Sequence, residues 1–132
     1  MQDRFRFRVW WKPDYEKPKM LYNAEQTYDF LKGAPEIIPA DSFGEVLEDK
    51  DFIVMQCTGL KDKNGKLIYE GDIVKANYIT PIGENKEKIC TIKFNRCAFW
   101  IHYDSFASYL ANEECAYEII GNIYENKDLL NE

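Results

Sequence analysis

Residues 4–11 alternate strictly between two kinds of side chain: Arg4, Arg6, Arg8 and Trp10 share one parity, and Phe5, Phe7, Val9 and Trp11 share the other. A period of two with an aromatic inner face predicts a half-buried strand. Pro13 and Asp14 end it, and Lys19–Tyr22 returns alongside as a short second strand. Asn23 offers a helix N-cap with Gln26 three residues on, so a helix is expected over about 24–32. It carries Ala24, Tyr28 and Leu31 on one side, with Gly33 as its stop. Residues 34–51 hold Pro35, Pro39 and the acidic cluster Glu45, Glu48, Asp49 and Asp51, which marks a connector between two lobes.

Phe52–Gln56 resumes a buried strand, and Asn64-Gly65 predicts a type I′ hairpin turn, because both residues tolerate positive φ. Glu70-Gly71-Asp72 is a second turn, opening a strand over Ile73–Ile79, and Pro81 to Lys88 reads as a charged loop. Cys90–Phe94 and Cys97–Tyr103 form a hairpin around Asn95-Arg96. Phe106–Glu114 is either a short helix or an excursion. Tyr117–Tyr124 is the final strand, with a bulge or bend at Gly121-Asn122. Five or so short strands over residues 53–125, tied by tight turns, suit a small SH3-like barrel. The expected fold is therefore α+β and mainly β. An N-terminal strand–helix lobe with its connector (1–52) packs on an SH3-like β-barrel lobe (53–132).

Composition sharpens that picture. Nine Tyr, eight Phe and three Trp in 132 residues favour pleated surfaces. No apolar run approaches the roughly 18 residues of a membrane span, and the N-terminus lacks the apolar core of a secretory signal. Cys57, Cys90, Cys97 and Cys115 lie far apart without a C-x-x-C pair, and His102 is the one histidine, so no zinc site is expected. Buried reduced thiols are the expectation, and with them a cytoplasmic protein without cofactor or metal. The net charge is −6 but uneven: residues 1–20 hold six basic and three acidic groups, +3, leaving −9 for the rest. An acidic chain repels phosphate backbones at long range, which disfavours nucleic acid without excluding a local basic strip.

Four features could carry chemistry. His102 has no nucleophile beside it, because Ser105 lies beyond the expected strand end. Asp72 follows a turn glycine and is expected to hydrogen-bond its own backbone. Asp62-Lys63-Asn64-Gly65 lacks the spacing and closing Glu of a calcium loop and reads as a turn. The row Arg4, Arg6, Arg8, with guanidinium groups about 6.8 Å apart, is the sharpest candidate for a partner surface. Trp10 joins it as a cation–π partner or interface anchor, or is buried between lobes. Glu113, Glu114 and Glu118, or the 45–51 acids, could instead neutralise the row, and edge protection is a further use of such charge. No phosphate loop, nucleophile elbow or catalytic carboxylate pair is present, so no enzymatic activity is expected.

Three blocks together resemble the YopX family of phage and prophage proteins. They are Phe7-Arg8-Val9-Trp10 with Met20-Leu21-Tyr22, the run from Ile53 to Val74 that includes Thr58-Gly59-Leu60-Lys61-Asp62 and Tyr69-Glu70-Gly71-Asp72-Ile73-Val74, and Tyr117-Glu118-Ile119-Ile120-Gly121-Asn122-Ile123-Tyr124-Glu125-Asn126. Trp11 departs from the acidic residue usual after the matched Trp10. The resemblance implies a phage- or prophage-encoded soluble protein with an SH3-like barrel, working in the bacterial host cytoplasm, and it carries no activity with it. The expected function is a noncatalytic, self-associating protein-interaction module: a homo-oligomer, with a protein partner possible. The alternative is a nucleic-acid-binding accessory protein using the N-terminal arginines, and a third reading is an acidic decoy for a basic host surface.

Overall fold

The structure, a computed structural model, describes residues 5–26, 42–103, 106–110 and 116–130. The chain divides into two compact units, Met1–Cys57 and Thr58–Glu132.

The first unit is built on β1 (Phe7–Trp11), β2 (Lys19–Tyr22) and the first part of β3 (Phe52–Lys61). β1 is central and antiparallel to both neighbours, with Val9 opposite Leu21 on one side and Val54 on the other. Val9, Trp11, Leu21 and Phe52 close the core, and the Trp11 and Phe52 rings stack at 6.4 Å. The proline and acidic segment holds an element the sequence reading left out: helix α1 (Phe43–Glu48). Ser42 caps it, its Oγ accepting from the Glu45 backbone N–H at 3.1 Å, and Val46 anchors it in the core. Ser42-Phe43-Gly44-Glu45 has the spacing of a capping box, and that local signal outweighs the surrounding acidic charge. Of the helix expected at 24–32, only a 3-10 turn at Ala24–Gln26 falls within the described residues. Asn23 sits at φ 58°, left-handed rather than in the extended conformation of an N-cap.

The second unit takes up β3 where the first leaves it and pairs it with β4 (Leu67–Tyr69). The rest is a five-stranded antiparallel sheet of β5 (Asp72–Ile79), β6 (Asn85–Asn95), β7 (Ala98–Tyr103), β8 (Phe106–Tyr109) and β9 (Ala116–Asn122). Its order is β8-β7-β6-β5-β9, so β8 and β9 are the two edges. Val74, Ala76, Cys90, Ile92 and Ile101 form the core face, joined by Ile68 from β4. Both sheets are antiparallel and α1 is the one α-helix among the described residues, so the protein is mainly β.

Three turns differ in kind from what their residues suggested. At Asp62–Lys66 the Gly65 N–H donates to Asp62 O and the Asp62 N–H to Lys66 O, with positive φ at Gly65 alone. That is a type I turn closed by a glycine bulge rather than a type I′ turn. The hairpin between β6 and β7 turns on Arg96 and Cys97, at φ 50° and 61°, one residue later than expected. Only this register sets Ile92 opposite Ile101 in the core and Phe94 opposite Phe99, their rings 5.0 Å apart. The charged stretch after Pro81 is mostly strand, since β6 begins at Asn85. Phe106–Tyr109 resolves as β8, a strand rather than a helix, while residues 111–115 lie outside the described residues.

The bend near Gly121 is present. The β5–β9 ladder slips between Ile73 and Val74, which face Gly121 and Ile119 and leave Ile120 as the extra residue of a bulge. A Cβ on Gly121 would lie 2.8 Å from Asn126 Cβ. Asn126 Oδ1 also accepts the Asn122 N–H at 3.1 Å, so the side chain cannot swing aside without losing that bond. Gly121→Ala is expected to cost about 1–3 kcal/mol, read as a lower urea midpoint at unchanged m-value.

Candidate interaction surface

Of the arginine row, β1 carries Arg8, with Trp10 two residues on, and the packing around them decides what the row can do. Arg8 is opposite Tyr22 on β2 and Met55 on β3, and it is only 2% exposed. Its guanidinium sits 5.9 Å from the Tyr22 ring centroid, and Nη1 donates to the Tyr22 hydroxyl at 3.5 Å. Trp10 is half-buried opposite Met20 and Ile53. Both faces of β1 are therefore covered, where alternation had implied cover on one face alone. Arg6 is half-buried and precedes the strand, and Arg4 lies outside the described residues. The structure thus brings Arg8 and Trp10 into packed surroundings instead of setting them out as a solvent-facing strip. Of the acids proposed to neutralise the row, Glu118 is occupied elsewhere: Lys63 Nζ lies 2.9 Å from its Oε2. That pair lowers the Glu118 pKa and raises that of Lys63, through their hydrogen bond and mutual charge.

The two aspartates of the central block act on backbone. Asp72 Oδ2 accepts the Tyr69 N–H at 2.7 Å across the turn made by Gly71, whose φ is 88°. Asp62 reaches further. Its Oδ1 accepts the N–H groups of Asn64 and Lys66, and its Oδ2 accepts Ile119 N–H on β9 at 3.0 Å. The Lys63 N–H donates to Tyr117 O beside it. The β3–β4 turn thereby covers part of the outer edge of β9, which would otherwise invite another strand. Burial of the carboxylate favours its neutral form, but the N–H groups of Ile119, Lys66 and Asn64, with the charge of Lys66, outweigh this and lower the Asp62 pKa.

His102 is half-buried on β7, opposite Thr91 and Ala107. Asp104 and Ser105 lie outside the described residues, as does Cys115. Cys57 and Cys90 are buried free thiols, whereas Cys97 is exposed, because the β6–β7 turn carries it into solvent. Among the described residues no group of three His, Cys, Asp or Glu side chains could hold a metal. No described helix is long and apolar enough to cross a membrane.

A different surface stands out at the far end of β5 and β6. Among the described residues the β5–β9 ladder reaches Asn77 and the β6–β7 ladder Thr91, and β5 and β6 are paired out to Ile79 and Asn85. The two strands close there as a hairpin arm. Its turn is Thr80-Pro81-Ile82-Gly83-Glu84. The Gly83 N–H donates to Thr80 O, the Thr80 N–H to Glu84 O, and the Glu84 N–H to Thr80 Oγ1, all within 3.0 Å. Pro81 suits the second position of a type I turn, and Gly83 at φ 83° supplies the bulge. The sequence carried this signal, but the charges after Gly83 masked it. On this stapled corner Ile82 is 80% exposed and Ile79 66%.

The sequence matches the YopX protein family over residues 6–131. A search of curated proteins finds no match. Among solved structures, the crystal structure of protein EF1440 from Enterococcus faecalis is similar, with a TM-score of 0.60 and 30% sequence identity over 95% of this chain and 96% of that one. The likeness runs through both units and leaves almost no residue of either chain outside it. The chain belongs to the YopX protein family.

Proposed function

We propose that this protein is a noncatalytic, self-associating interaction module, encoded by a phage or prophage and working in the bacterial cytoplasm, with its second unit an SH3-like β framework. One observation carries the reading: the apolar corner at Ile79 and Ile82 is rigidly built, yet exposed. Isolated surface aliphatics are ordinary, but two large β-branched residues on a corner held by three hydrogen bonds are poorly explained by stability. The rival reading, nucleic-acid binding through Arg4, Arg6 and Arg8, has less support now that Arg8 is packed against Tyr22. Gel filtration with light scattering at tens of micromolar is expected to return a multiple of the 15.6 kDa chain. A monomer throughout that range would sink the proposal.

A further inference from the structure

We propose that Asn64-Gly65 is a site of spontaneous deamidation, a one-way modification that the β3–β4 turn holds back and that opening of the turn releases. It is the one Asn-Gly pair in the chain, and both residues are exposed to the water that the reaction consumes. In the reaction the Gly65 amide nitrogen loses its proton to solvent base and attacks Asn64 Cγ. The new N–Cγ bond forms as Cγ–Nδ2 breaks, and ammonia leaves with a proton taken from water. Water then opens the cyclic imide, at Cγ to leave aspartate or at the Asn64 main-chain carbonyl to leave isoaspartate. Glycine has no Cβ to obstruct ring closure, and nothing lies within 4 Å of where a Gly65 Cβ would stand. What opposes the attack is the turn itself. The Gly65 N–H donates to Asp62 O at 3.0 Å, and Asp62 Oδ1 accepts the N–H groups of Asn64 and Lys66, both at 2.9 Å. These bonds keep the attacking nitrogen engaged and fix the backbone on either side of it. Modification therefore proceeds from the opened turn, at a rate set by how often the turn opens. Isoaspartate lengthens the main chain by a methylene group. The flanking N–H groups then no longer converge on one carboxylate oxygen, so the turn stays loosened and Ile119 loses the hold of Asp62 Oδ2.

The test follows conversion of Asn64 by peptide mass mapping, and isoaspartate by enzymatic methylation, in native buffer and in guanidinium chloride. Folded wild type is expected to convert at least about tenfold more slowly than the same chain unfolded. Folded Asp62→Ala is expected to convert at least about tenfold faster than folded wild type. Ile92→Ala is the control, since it removes a buried side chain of the five-stranded sheet and leaves the bonds of the turn in place. Its rate is expected to stay within about twofold of wild type. No conversion in the unfolded chain, or equal rates folded and unfolded, overturns the proposal. So does an Ile92→Ala rate that matches Asp62→Ala, because global unfolding would then gate the reaction. If Asp62→Ala fails to fold, Asp62→Asn decides, since it keeps an acceptor oxygen. A rate above wild type then supports the turn as the gate, and an unchanged rate overturns it.

Discussion

Replacing Asp62 by alanine is expected to lower stability by about 2–3 kcal/mol, a large effect for a residue on a hairpin turn. One carboxylate accepts three backbone N–H groups, two inside its own turn and one, Ile119, that is 57 positions away on β9. Alanine leaves all three part-buried N–H groups without that acceptor. Asp62→Asn keeps one oxygen and should lose less. The sign of the pH dependence follows from the lowered pKa. A carboxylate with a folded pKa below its unfolded value, about 3.9, contributes stability that is full above that value. The contribution disappears as pH falls through the folded pKa. Wild type should therefore lose stability in that acid window, and Asp62→Ala should show a shallower loss there. Urea titrations of both proteins from neutral to strongly acidic pH would check this; parallel curves would show that Asp62 is not the group responsible.

Ile68→Ala should cost about 3–4 kcal/mol, close to the middle of the range for a fully enclosed isoleucine. Ile68 is 0% exposed on β4, a strand of only three residues, and it packs with Val74, Ile92 and Ile101 of the five-stranded sheet. Its carbonyl accepts the Thr58 hydroxyl at 2.8 Å, which fixes how β4 lies against β3. The cavity left by truncation is walled by strands on a regular ladder that have little freedom to collapse into it. Ile82→Ala offers the contrast, since the same deletion on the exposed corner should move stability by less than about 0.5 kcal/mol. Equal losses at the two positions would mean that Ile68 does not sit in a closed core.

What could be read in advance was local. Alternation located β1, and the turn glycines Gly65 and Gly71 stand where positive φ is indeed used. The bulge was expected within a residue of where the ladder slips. The errors share a cause. Asn64-Gly65 satisfies a type I′ turn locally, but the hydrogen bonds of Asp62 select the bulged form. The type I′ geometry falls instead on Arg96-Cys97, where no local preference favours it, because cross-strand packing of Ile92 and Phe94 sets the register. Helix α1 and the arm turn were legible in Ser42-Phe43-Gly44-Glu45 and Thr80-Pro81-Ile82-Gly83, but charge and proline content drew attention away from both.

The sequence by itself determined most of the segments that extend, most of the points where the chain reverses and that the fold is mainly β, since these depend on φ preferences and on side-chain parity along a few neighbouring residues. Only the tertiary structure decided which faces meet solvent. Parity puts Arg4, Arg6, Arg8 and Trp10 on one side of a strand, but it cannot say that β1 is central and covered on both faces, burying Arg8 beside Tyr22. Nor can it say that the β5–β6 hairpin holds Ile79 and Ile82 in water. Exposure is a property of strand order and relative strand length. Both are settled by partners distant in the chain, so the candidate surface moved from the charged row to the apolar corner.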